Sequence, residues 1–167
     1  MAVAPDVEVL LQQMAAFGAP PFSSQTPEQA RAQMAQFALL GAQLAGPAAS
    51  DVTAVDRRIP GPAGEIPVRV YTPQAPQAQA GQQAGAAARP GLVFFHGGGW
   101  VVGDVDTHDQ PCRILTRYAD LHVLSVEYRL APEHPYPTPV DDAVASWEWA
   151  VKHASDLGAD PGRIAVG

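Results

Sequence analysis

Three consecutive glycines, Gly97, Gly98 and Gly99, stand between His96 and Trp100, directly after the apolar run Leu92-Val93-Phe94-Phe95. Each glycine gives up more conformational freedom on folding than any other residue, so a run of three implies a task for the backbone itself. Three kinds of chemistry could use it. A dinucleotide-binding turn needs the spacing G-x-G-x-x-G, and counting from Gly97 and Gly99 the last position is Val102. A phosphate-gripping loop needs Gly-Lys-Ser/Thr, and no lysine is near. The third is an oxyanion hole, in which consecutive backbone N–H groups converge on one oxygen. Side chains would obstruct that approach, and the dihedrals are closed to most residues. A plain turn rarely needs more than one or two glycines. His96 has no histidine or cysteine partner at metal-ligand spacing, so no metal is expected.

Acyl transfer at such a hole also needs a nucleophile, a base and an orienting acid. The serines are Ser23, Ser24, Ser50, Ser125, Ser146 and Ser155, and none sits in G-x-S-x-G. Ser125 falls mid-strand and Ser146 on a helix, away from any strand-to-helix elbow. Cys112, the single cysteine, follows Pro111 in the first turn of a helix and reads as a small buried residue. His108, His122 and His153 read as solvated or locally bonded.

The elements that must position the glycines follow from periodicity. Residues 7–17 place Val7, Leu10, Leu11, Met14 and Phe17 at helical spacing, with Gly18 available to end the helix. Thr26-Pro27-Glu28-Gln29 announces a second helix with a capping box and a stripe of Ala30, Met34, Phe37, Gly41 and Leu44. Residues 51–59 and 65–72 read as two strands around the turn residues 60–64. The segment 74–90, QAPQAQAGQQAGAAARP, is low-complexity and reads as a surface loop. Beyond it, LVFF is a strand, 107–119 a helix, 121–128 a strand, 138–153 a helix, and RIAVG the beginning of another strand. In the second of these helices Thr138 is expected to cap, Asp141 to favour the positive helix end, and Val140, Val144, Trp147 and Val151 to form the core stripe. Asp141, Asp142, Glu133 and His134 read as scaffolding. Alternating strands and helices with apolar runs indicate a parallel sheet covered on both faces, whose working site lies at the strand carboxyl ends. His96 to Gly99 fall at such an end.

Three segments together, HGGGWVVGDVDTHD (96–109), VEYRLAPEHPYP (126–137) and DDAVASWEWA (141–150), closely resemble the hormone-sensitive-lipase-like esterases of the α/β-hydrolase fold. The likeness is dense over residues 50–167 and loose over the first two helices. It implies a carboxylic ester hydrolase of the serine type acting on small, short-acyl esters. The oxyanion donors then fall on Gly97 and Gly98, with His96 and Gly99 shaping the loop and Trp100 in the substrate pocket. Phe17, Phe22 and Met34, from a helical cap over residues 1–46, could line an acyl pocket as well as a core. Residues 47–167 would be the front half of the hydrolase core: the N-terminal portion of a mostly parallel sheet with helices on both faces. In the resembling family the strand RIAVG leads into Gly-Asp-Ser-Ala-Gly-Gly. Nucleophile, acid and base are therefore expected outside these residues, and the chain alone is expected to be inactive. A small-molecule receptor on the same scaffold, or an inactive truncated product, remain alternative readings.

Composition narrows the class further. The 167 residues carry 10 basic and 17 acidic side chains, a net charge of −7, which argues against a nucleic-acid partner. One cysteine permits no internal disulfide and suits a reducing cytoplasm. The start, MAVAPDVEVL, lacks the pattern of a signal peptide, and no apolar run approaches a membrane span. No cofactor is implied.

Overall fold

The computed structural model describes residues 3–16, 18–46, 49–74 and 88–167. Two helices, α1 (Pro5–Ala16) and α2 (Pro27–Ala45), are separated by a short 3₁₀ turn at Phe22–Ser24. The capping box forms as its residue types dictate: Gln29 donates its backbone N–H to Thr26 Oγ1, and the Gln29 side chain accepts from the Thr26 backbone. The apolar stripe of α2 holds only in part. Ala30 is buried and Met34 and Phe37 half-buried, whereas Gly41 and Leu44 are exposed. In α1, Val7 and Leu11 are also exposed.

A hairpin follows, β1 (Val52–Gly61) and β2 (Gly64–Pro73), paired in register from Val52↔Pro73 to Gly61↔Gly64. Its turn is tighter than expected, because Pro60 and Gly61 already belong to the ladder. The core of the low-complexity segment, residues 75–87, lies outside the described residues. At its far end Arg89 and Pro90, expected in the loop, instead open strand β3 (Arg89–Phe95). Then come α3 (Asp109–Ala119), β4 (His122–Val126), α4 (Thr138–Lys152) and, after a 3₁₀ turn at Ser155–Leu157, β5 (Ala159–Val166).

The sheet order is β1-β2-β4-β3-β5. β3 pairs in parallel with β4 and β5, and β2 pairs antiparallel with both β1 and β4. The sheet is therefore mixed: the parallel part carries the glycine loop, and the hairpin adds an antiparallel flank. Side chains alternate across the central strands. Leu92 and Phe94 face a cluster with Tyr71, Val123 and Cys112 of α3, while Val93 joins Val70, Leu124, Val126 and Ala150 of α4 on the other face. Helices thus cover both faces. Burial pushes the Cys112 thiol up to about 11, in keeping with a packing role.

Helix α4 turns a different side inward from the one its valines suggest. Val140, Val144 and Val151 are exposed, and the buried positions are Pro139, Asp142, Ser146 and Ala150. The reason is Asp142, which is fully buried and accepts from the Arg129 backbone N–H at 3.0 Å and from its guanidinium at 2.8 and 2.7 Å. Three charge-assisted bonds fix the helix rotation, and the small residues Ser146 and Ala150 let it approach the sheet. Thr138 is the first helical residue and makes no cap, which leaves Pro137 in the N-cap position; Asp141 does lie in the first turn. His122, expected to be solvated or locally bonded, is instead buried, with Nδ1 unpartnered among the described residues.

Candidate functional site

β3 ends at Phe95, and the chain turns at once through His96 to Gly103 at the carboxyl end of the parallel strands. The turn is built on positive backbone dihedrals: φ is +129° at Gly98, +60° at Gly99, +61° at Trp100 and +90° at Gly103. Gly98 must be glycine for a second reason. A Cβ there would lie 1.9 Å from the Val102 carbonyl oxygen. That closeness follows from the fold of the turn, in which the Val101 and Val102 amides both donate to the Gly98 carbonyl, at 3.2 and 3.1 Å.

Gly103 was not singled out by sequence, yet it is as constrained as Gly98. A Cβ at Gly103 would meet the Gly97 carbonyl at 2.5 Å and His96 Nδ1 at 2.7 Å. Its place inside the resemblance segment, four residues after Gly99, was the available signal. Gly97 differs, because an added Cβ there meets nothing. Among the described residues the backbone N–H groups of Gly97 and Gly98 donate no hydrogen bond.

His96 is 3% exposed. Its Nδ1 lies 2.9 Å from the Gly97 carbonyl, which can only accept, so Nδ1 carries the proton. Burial holds the imidazole below its ordinary range, the Gly97 carbonyl opposes this, and nearby His108 adds to the lowering. A buried neutral ring committed to a neighbouring carbonyl is a strut. It stacks on Tyr128, whose hydroxyl donates to the His96 carbonyl at 2.6 Å. Tyr128 follows β4, so the YRLAPE segment props the glycine loop from the next strand.

That segment also binds the loop through backbone and through α2. Ala131 N–H donates to the Trp100 carbonyl at 2.8 Å. Arg31 of α2 donates from Nε to the Val101 carbonyl at 2.8 Å and from Nη2 to the Ala131 carbonyl at 2.9 Å. It also forms a two-pronged pair with Glu133, whose carboxyl it holds down to about 2. Sequence reasoning placed Glu133 in the scaffold and gave Arg31 no part, for nothing local to α2 reveals a partner 102 residues away.

The loop lines a cleft of about 310 Å³. Gly97, Gly98, Gly99 and Trp100 form one wall, and Pro139, Val140, Ala143 and Val144 of α4 form another. Two of the exposed valines of α4, Val140 and Val144, thus belong to the cleft. Phe22 and Met34 do not line it: Phe22 packs edge-on against Phe37, with ring centroids 6.3 Å apart. Phe17 lies outside the described residues. Among the described residues no serine lines the cleft, and Ser125 and Ser146 are fully buried.

A parallel strand core clad on both faces by helices, with a glycine turn at the carboxyl end of a central strand, is the α/β-hydrolase architecture. Residues 92–167 match the family described as the alpha/beta hydrolase fold. The carboxylic ester hydrolase LipN of Mycobacterium tuberculosis (strain ATCC 25618 / H37Rv) is 58% identical over 118 residues, covering 70% of this chain and 28% of LipN. Esterase LipI of the same strain is 48% identical over 120 residues, 72% of this chain and 35% of LipI. The structure of a hyperthermophilic esterase from the archaeon Pyrobaculum calidifontis superposes with a TM-score of 0.81 at 35% identity, over 99% of this chain and 49% of that one. The chain belongs to the hormone-sensitive-lipase-like esterase family of the α/β-hydrolase fold. It spans between a quarter and a half of the length of these relatives. No helix among the described residues is long and apolar enough to cross a membrane.

Proposed function

We propose that these residues form the oxyanion side of a serine-type carboxylic ester hydrolase acting on small, short-acyl esters. The observation that carries the reading is the pair of unengaged amides of Gly97 and Gly98, on a turn that lines an apolar cleft. An ester carbonyl seated there would gain negative charge on attack, and two fixed N–H donors stabilise that charge without reorganising. His96 and Gly99 shape the turn, and Trp100, Val140 and Val144 supply apolar surface for the acyl or alcohol group. The nucleophile, its base and the orienting acid come from sequence outside residues 1–167, a reading supported by the absence of a serine from the cleft among the described residues. Residues 1–46 act as a cap segment and 47–167 as the front of the catalytic core, in a cytoplasmic enzyme.

The test is hydrolysis of 4-nitrophenyl acetate by the full-length protein that carries these residues. Gly98→Val drives a Cβ into the Val102 carbonyl and so displaces the Gly98 N–H, which should lower turnover by ~10²–10³, about the cost of one lost oxyanion donor. A folded Gly98→Val variant with undiminished turnover would overturn the assignment. Residues 1–167 alone should show no turnover above a blank. Tight binding of small esters by the full-length protein without any turnover would favour a receptor instead.

A further inference from the structure

We propose that Arg31 is a positioning residue for the oxyanion turn, and that through it the cap helix α2 helps to set the geometry of catalysis. The inference rests on the oxyanion reading of Gly97 and Gly98.

Arg31 closes a ring of hydrogen bonds on the turn. Arg31 Nε holds the Val101 carbonyl, and Arg31 Nη2 holds the Ala131 carbonyl. The Ala131 amide in turn holds the Trp100 carbonyl, one peptide before Val101. Two successive carbonyls of the turn are thereby fixed from outside, one by the YRLAPE segment and one by α2. Val101 and Val102 are also the residues whose amides close on the Gly98 carbonyl. Moving the Val101 peptide therefore moves Gly98, whose own N–H is a proposed donor.

The guanidinium suits this task and an ammonium does not. Glu133 takes two further N–H groups, at 2.9 and 2.7 Å, so the planar fork is oriented by its ion pair while its remaining donors grip carbonyls. Lysine has one donor atom on a flexible stem and cannot bridge Val101 and Ala131 with the same geometry. Both carbonyls belong to loops whose position the chemistry would require to within a fraction of an ångström; a 1 Å misplacement costs on the order of 10² in rate.

The experiment uses the full-length protein, with kcat and KM for 4-nitrophenyl acetate measured beside amide hydrogen exchange at Val101 and Val102. Arg31→Ala should lower kcat about tenfold or more with KM within about twofold, and should speed exchange at both amides. Arg31→Lys should recover only part of the kcat loss. Added methylguanidinium should restore turnover to Arg31→Ala but leave Gly98→Val unaffected. Glu133→Gln, which removes the charge that orients the fork but keeps one acceptor for it, should lower kcat by less than Arg31→Ala does. If Arg31→Ala does not fold, Arg31→Gln, which keeps a donor and most of the volume, takes its place. Unchanged kcat in a folded Arg31→Ala variant, with Gly98→Val still impaired, would overturn the role of Arg31 alone. Undiminished turnover in Gly98→Val would instead remove the oxyanion reading, while amide exchange would still report on the clamp.

Discussion

The Tyr128 ring lies against the His96 imidazole, with centroids 4.3 Å apart and planes 14° from parallel, while its hydroxyl donates to the His96 carbonyl at 2.6 Å. The two residues follow adjacent parallel strands, so the contact ties the end of β4 to the end of β3 where the glycine turn begins. Tyr128→Phe keeps the stack and removes the donor, leaving a buried carbonyl oxygen unpaired. A loss of ~1–3 kcal/mol is expected, read from the denaturant midpoint. A midpoint equal to the wild type would mean that the hydroxyl contributes nothing to the loop.

Acid should weaken the fold through His96. Burial keeps its folded-state affinity for protons below that of an unfolded histidine, whose ordinary value is 6.5. The unfolded chain therefore binds the proton first, and stability present above pH 6.5 is lost as pH falls below it. His122 shifts in the same direction, through burial and then Arg89. Urea midpoints measured on both sides of pH 6.5 should decline on the acid side, with a shallower decline in His96→Asn. A midpoint that rises on acidification across that range would contradict the buried, neutral imidazole.

The glycines of the turn should separate by position. Gly103→Ala forces a left-handed residue and drives Cβ to 2.5 Å from the Gly97 carbonyl, so a loss above ~2 kcal/mol is expected. Gly97→Ala meets open space and should change stability by less than about 0.5 kcal/mol. Equal losses at the two positions, by thermal or denaturant unfolding, would refute this distinction.

Arg129 and Asp142 set the rotation of α4. Arg129→Met leaves the Asp142 carboxylate buried without its partner, and a loss of ~3–5 kcal/mol is expected in equilibrium unfolding. Adding Asp142→Leu should recover most of it, because the uncompensated charge is then gone. A double variant no more stable than Arg129→Met would contradict this explanation of the helix face.

What was legible in the sequence follows from what is local. The capping box at Thr26–Gln29, the hairpin and the alternation of strands and helices all depend on near neighbours, and they formed. The rotation of α4 was not legible, because Val140, Val144 and Val151 present an apolar stripe as convincing as a core stripe. What decides the face is an arginine 13 residues upstream. The glycine turn was legible as a backbone device, since few other functions explain three glycines after a buried strand. Its supports were not: Gly103, Tyr128 and Arg31 act through contacts made only when β3, β4 and α2 come together. Phe22 and Met34 lie away from the cleft, because apolar spacing does not say what a side chain packs against: Phe22, half-exposed on its 3₁₀ turn, meets Phe37.

The central claim is that Gly97 and Gly98 receive the oxygen of an acyl-transfer intermediate. The most direct test is the amide spectrum of the full-length, ¹⁵N-labelled protein before and after reaction with an alkyl phosphonate ester. The phosphonyl oxygen of that adduct stands in for the oxyanion. The account predicts that the Gly97 and Gly98 amide protons move downfield together and become protected from exchange, with little change at Gly158 or Gly162 far from the turn. An adduct that forms while both amides keep their original shifts would contradict it.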